Sequence, residues 1–151
     1  MALNNFEISK TLAKSDVPDK VFEISKTLAK SDVPDKVCLP VDIVEHMEPV
    51  MMNGENSVEL KASDRWGQKW PLKYYSRPDN SRKPVFTVGW NRLVTANSVL
   101  PGDKLIFSGH HQDAGEMQYR IQVIRRTRTS EGKTVEVEVI KTVHGGPVIF
   151  F

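Results

Sequence analysis

The sequence predicts a small, mostly-β domain, a barrel or sandwich that carries two short helices. Three observations lead there. Apolar residues recur with period two over most of the chain. Turn residues separate these runs at short intervals. Helical spacing is confined to two short stretches, each about two turns long and too short to stand without packing.

Taken in order, the first helical stretch is Val41–Glu48. Val41, Val44 and Met47 recur every third residue behind Pro40, a plausible first-turn proline. Val58-Glu59-Leu60-Lys61 then alternates, as does Trp70-Pro71-Leu72-Lys73-Tyr74, where Pro71 implies an edge or a bulge. Val85–Val88 is a short β-rich run. The second helical stretch, Trp90–Val99, places Trp90, Leu93, Val94 and Asn97 on one stripe and meets a stop at Pro101-Gly102. Leu105–Phe107 is β-rich. Met117, Tyr119, Ile121 and Val123 alternate with polar residues, and so do Val135, Val137 and Val139. Gly109–Gly115 and Ser130–Lys133 read as hairpin loops.

A chain of 151 residues suits one domain with one closed core. Hydrophobic residues make up 39% and charged residues 26%, a globular composition. A single cysteine, Cys38, excludes an internal disulfide and a multi-cysteine zinc site, and reads as a small buried hydrophobe. No apolar run approaches the ~18 residues of a membrane span, and no signal peptide is visible, so an intracellular, reducing compartment is expected.

Residues Phe6–Val21 and Phe22–Val37 are identical, FEISKTLAKSDVPDKV twice. Two undiverged copies of a 16-residue unit do not make a solenoid, which needs three or more repeats. Only the second copy runs on into the rest of the domain, so the first is expected to be dispensable. It could form a short helix, or compete with the second copy for one slot and give two registers of one structure.

Net charge is only +2, but charge is segregated. Six acids and one Lys lie between Asp42 and Asp64. Between Lys73 and Lys83 stand four bases and one acid. Arg120, Arg125, Arg126 and Arg128 form a second basic cluster. The proline-bounded segment Arg77-Pro78-Asp79-Asn80-Ser81-Arg82-Lys83-Pro84 joins two strand candidates and is rich in groups that bond phosphates and base edges.

Enzyme chemistry finds little support. Pro34-Asp35 with Glu59-Leu60-Lys61 fits only a loose metal-dependent nuclease pattern, without the long helices of that core. His110 and His111 are adjacent, so on a strand they face opposite ways. No zinc-site spacing, Ser/His/Asp spacing or Gly-rich phosphate loop is present. The expectation is a non-enzyme without cofactor, metal or small-molecule substrate.

Several motifs in order resemble the plant B3 DNA-binding family. Lys26, Leu28, Ser31, Asp32 and Val33 stand in the spacing of its opening motif, and Leu39-Pro40 matches the end of its next strand. Asp64, Gly67 and Trp70 match its Asp-x-x-Gly-x-x-Trp hairpin. Gly89-Trp90 with Leu93-Val94 resembles its Gly-Trp-x-x-Phe-Val segment, Leu93 replacing Phe. Leu100, Gly102, Asp103 and Phe107 match Leu-x-x-Gly-Asp-x-x-x-Phe. Ala29 stands where the family usually has Thr or Ser.

The resemblance implies an open seven-stranded β-pseudobarrel with two short helices. It further implies a plant nuclear transcription regulator that binds double-stranded DNA, gripping the major groove with two arms. Carried over by position, the first arm is Lys26, Thr27, Lys30 and Ser31; the second is Arg77, Asn80, Ser81, Arg82 and Lys83. Lys26 and Lys30 are expected on phosphates, Arg82 and Asn80 on base edges. The expected layout is an extension over 1–21, the domain over 22–128, and a C-terminal extension over 129–151 that adds a strand pair or an apolar interface through Pro147–Phe151. The alternative is a barrel of this kind that has lost DNA affinity and serves protein interaction or dimerisation.

Overall fold

The computed structural model describes residues 19–51, 55–77, 83–111 and 116–141. Eight strands are formed: β1 (Asp19–Thr27), β2 (Val37–Cys38), β3 (Ser57–Ser63), β4 (Lys69–Tyr75), β5 (Val85–Phe86), β6 (Lys104–His111), β7 (Met117–Arg128) and β8 (Thr134–Glu138), the alternating and β-rich runs lying in β3 to β8. Two helices interrupt them, α1 (Ile43–Met47) and α2 (Trp90–Asn97).

The strands hydrogen-bond in the order β1-β6-β7-β3-β4-β5-β2, with β8 added on β7. Only β3 and β7 run parallel; the other pairs are antiparallel. The sequential strands β1 and β2 therefore lie at the two ends of the path. The sheet curls into an open pseudobarrel whose seam falls between them, and the segment joining them must cross that seam.

Alternate residues face the core: Phe22 and Ile24 on β1, Trp70, Leu72 and Tyr74 on β4, Leu105 and Phe107 on β6, Tyr119, Ile121 and Val123 on β7. Phe107 sits at its centre. It stacks on Tyr119 at 5.5 Å, meets Phe86 edge-on at 4.9 Å and touches Phe22 at 6.0 Å between ring centroids. Gly109 leaves room for Phe22, since a Cβ there would run into its ring.

The helices close the barrel. Trp90, Leu93, Val94 and Asn97 form the buried stripe of α2 as the spacing predicts. The helix ends earlier than Pro101, at Ser98, which takes a left-handed conformation. In α1 the buried residues are Ile43 and Met47, while Val41 is exposed. The three-residue spacing thus places Met47 correctly, meets Val44 half-buried, and misses Ile43 in favour of the exposed Val41. The turn after Pro40 carries the bonds Ile43 N–H to Pro40 O and Val44 N–H to Val41 O, and the helix begins only at Ile43.

Other expectations shift by small amounts. β5 stops at Phe86 because Thr87–Gly89 turns into α2, where Gly89 has φ +97° and a Cβ would collide with the Pro71 carbonyl. Pro71 lies in β4 beyond the reach of β5, which pairs only with Tyr74 and Tyr75, so its missing N–H costs no ladder bond. β6 runs on to His111, with His110 buried and His111 exposed. Cys38 is only partly buried.

Two boundaries bear on the layout. β1 takes in Asp19–Val21, the last three residues of the first repeat copy. Beyond 128, β8 pairs along β7 from Arg128 to Ile124, and Val139 and Ile140 are buried. The chain is then tied down by Val139 N–H to Val123 O, Lys141 N–H to Asn97 Oδ1 and Trp66 Nε1–H to Ile140 O. Pro147–Phe151 lies outside the described residues.

Candidate nucleic-acid interface

The first arm, residues 28–36, crosses the seam from β1 to β2 and contains a 3-10 turn, Lys30–Asp32. Asp32 is its anchor and is 1% exposed. One carboxylate oxygen accepts the Ala29 N–H at 2.7 Å; the other accepts the Cys38 N–H at 3.2 Å. The Lys26 ammonium sits 3.0 Å from the same carboxylate and donates to the Cys38 carbonyl at 2.7 Å. Asp32's own carbonyl accepts the Trp90 indole N–H at 2.7 Å, which fixes the turn to α2.

The arm's root is held as firmly. Leu28 N–H bonds the Asp103 carbonyl and Gly102 N–H bonds the Leu28 carbonyl, both at 2.8 Å. Asp103 is buried, accepts two bonds from Arg125 at 2.8 Å each, and caps the turn through Leu100 N–H. Those bonds, set against modest burial, push Arg125 further into its charged form. With both ends pinned, Thr27, Lys30 and Ser31 project into solvent.

Lys26 is placed differently from Lys30. Its charge is engaged by Asp32 and Cys38 beneath the arm, so it braces the loop and does not project beside Lys30. Sequence reasoning placed Asp32 and Trp90 in motifs without seeing that they hold the arm. The available signal was an acid, Asp32, six residues after Lys26 in a segment otherwise rich in exposed polar residues.

The second arm leaves β4 at Ser76 and re-enters at Pro84. Ser76 N–H bonds the Asn56 carbonyl at 2.9 Å, and Leu39 N–H bonds the Pro84 carbonyl at 2.8 Å. Arg77 and Lys83, at its two roots, are exposed. Asn80, Ser81 and Arg82 lie outside the described residues. The arms converge on one short ladder, β2–β5, where Val37 pairs with Phe86 and Cys38 with Val85. The first arm ends at one end of that ladder and the second at the other.

The second basic cluster does not behave as a unit. Arg125 is locked on Asp103, Arg126 faces Glu136 at 3.7 Å on an exposed ribbon, and Arg128 stands at the far end of β7. The Asp64 hairpin is structural. Its carboxylate accepts Trp66 N–H, Gln68 N–H, the Gln68 side-chain amide and Trp70 Nε1–H between 2.7 and 3.0 Å. Among the described residues no group of three or more His, Cys, Asp or Glu could hold a metal ion, and no helix is long and apolar enough to cross a membrane.

Comparison with known proteins agrees with this architecture. The sequence profile of the B3 DNA binding domain matches residues 24–127. The chain therefore belongs to the B3 DNA-binding domain family, which is defined by DNA binding and not by catalysis. Among solved structures, a hypothetical Arabidopsis thaliana protein is similar with a TM-score of 0.51 and 16% identity, over 69% of this chain and 90% of that one. The Arabidopsis FUS3–DNA complex matches with a TM-score of 0.48 and 20% identity, over 69% and 95%. Among curated proteins, none matches the chain.

Proposed function

We propose that this protein binds duplex DNA with sequence preference through the major groove and acts as a plant transcription regulator in the nucleus. Family membership supplies DNA binding as a class. The observation that carries the finer reading is the pair of arms flanking the β2–β5 ladder, the first pinned at Asp32 with Thr27, Lys30 and Ser31 turned outward. A preformed loop loses little conformational freedom on binding, which favours a defined register on the duplex.

In this reading Lys30, Arg77 and Lys83 meet phosphates, and Thr27 and Ser31 add neutral backbone contacts. Asn80 and Arg82 read base edges, with Ser81 beside them. Lys26 acts from beneath as a positioning residue. Selection from random duplexes with the purified protein tests it. Enrichment of a common core site is expected; a flat profile with no binding at low salt would sink the proposal.

One observation favours a protein-interaction role. Val135 and Val137 are exposed on β8, along the ribbon that β7 and β8 form. Salt separates the two readings. Binding through several phosphates weakens steeply as salt rises, whereas apolar association does not.

A further inference from the structure

We infer that the two identical repeat copies exchange within one chain, either copy supplying β1 and the start of the first arm. This rests on the fold and on the repeat, and not on the DNA reading. The second copy fills the slot through Phe22, Ile24, Leu28, Asp32 and Val37, all buried. The first copy repeats each of these at a spacing of 16, as Phe6, Ile8, Leu12, Asp16 and Val21. Every buried side chain of the slot has an identical substitute, and the Lys26–Asp32 pair has one in Lys10 and Asp16; the exposed Lys20–Glu23 pair does not, since Asn4 stands in for Lys20.

The edges of the slot tolerate the change. In β1 the register shifts between Lys20 and Phe22, so a bulge falls on the junction of the copies at Val21. In the exchanged form Leu3, Asn4 and Asn5 take the places of Asp19, Lys20 and Val21. The β1–β6 ladder there uses backbone groups, which any of these residues offers. The 16 additional residues can leave the slot where the arm is exposed, at 29–31 or 34–36. The arm grows from nine residues to 25. Loop closure then disfavours the exchanged form by only about fivefold. That form presents a longer first arm with two sets of the exposed Lys-Ser pair, Lys14-Ser15 ahead of Lys30-Ser31.

Phe22→Ala tests the exchange by thermal unfolding. Deleting residues 6–21 or 22–37 gives the same polypeptide, a single-copy chain with one Phe for the slot. In the full chain Phe22→Ala should lower Tm by only about 4 °C, because the first copy takes over. In the single-copy chain the same substitution should lower Tm by about 12–20 °C, as should Phe6→Ala with Phe22→Ala in the full chain. Phe6→Ala alone should leave Tm unchanged. Equal losses for Phe22→Ala in both chains would overturn the inference. So would a single-copy chain that does not fold, since it meets β6 with the same Leu3–Asn5 residues. Rescue that grows with protein concentration would overturn it in favour of exchange between chains.

Discussion

Two lysines four residues apart in the first arm do different jobs. Lys26 lies under the arm against Asp32; Lys30 points away. Lys30→Ala should leave thermal stability unchanged and flatten the slope of log affinity against log salt by about 1, the signature of one lost phosphate contact. Asp32→Ala should behave in the opposite sense. It strands the Lys26 ammonium and the Ala29 and Cys38 N–H groups. Loss of one partner from a buried pair costs about 3–5 kcal/mol, read as a lower urea midpoint at constant m-value. The distinction was not legible in the sequence. A Lys in an arm motif looks the same whether its charge meets a phosphate or a carboxylate, because the answer depends on a 3-10 turn that folds Asp32 back beneath it.

At the scale of elements, the strands were legible wherever one face is buried. β3, β4 and β7 alternate because their two faces meet different media, whereas β8 alternates in sequence with both faces exposed. β1 was named only through the family resemblance, since Phe22 and Ile24 give too few alternations to separate it from the arm that follows. The α1 stripe was read correctly only at Met47, because five residues of helix behind a tight turn leave almost no periodicity to measure. The junction of β5 with α2 turns on Gly89. Gly89→Ala combines a positive φ with a collision against the Pro71 carbonyl, and should cost about 2 kcal/mol or more by urea unfolding. The C-terminal strap has a comparable test. Truncation after Lys133 removes β8 and the buried Val139 and Ile140, and should cost on the order of 3–6 kcal/mol.

For the whole molecule, charge and burial set how stability responds to the medium. Burial pushes the hydroxyls of Tyr74 and Tyr119 up. A phenol raised in the folded state ionises first in the unfolded chain. Its stabilising contribution is whole below about pH 10, the ordinary tyrosine value, and falls as pH rises beyond it. Unfolding followed by fluorescence from pH 8 to 11 should show Tm declining only in the alkaline part of that range.

The order of the sheet also dictates the order in which the protein can be made. β1 pairs with β6 alone, and Thr27 meets Lys104, its partner about 80 residues further along the chain. At roughly 5–20 residues per second, β1 leaves the ribosome some 4–16 seconds before its partner exists. During that interval the repeat emerges as two segments of identical sequence, both ahead of the place one of them fills, and β1 can join the sheet only once β6 has been made.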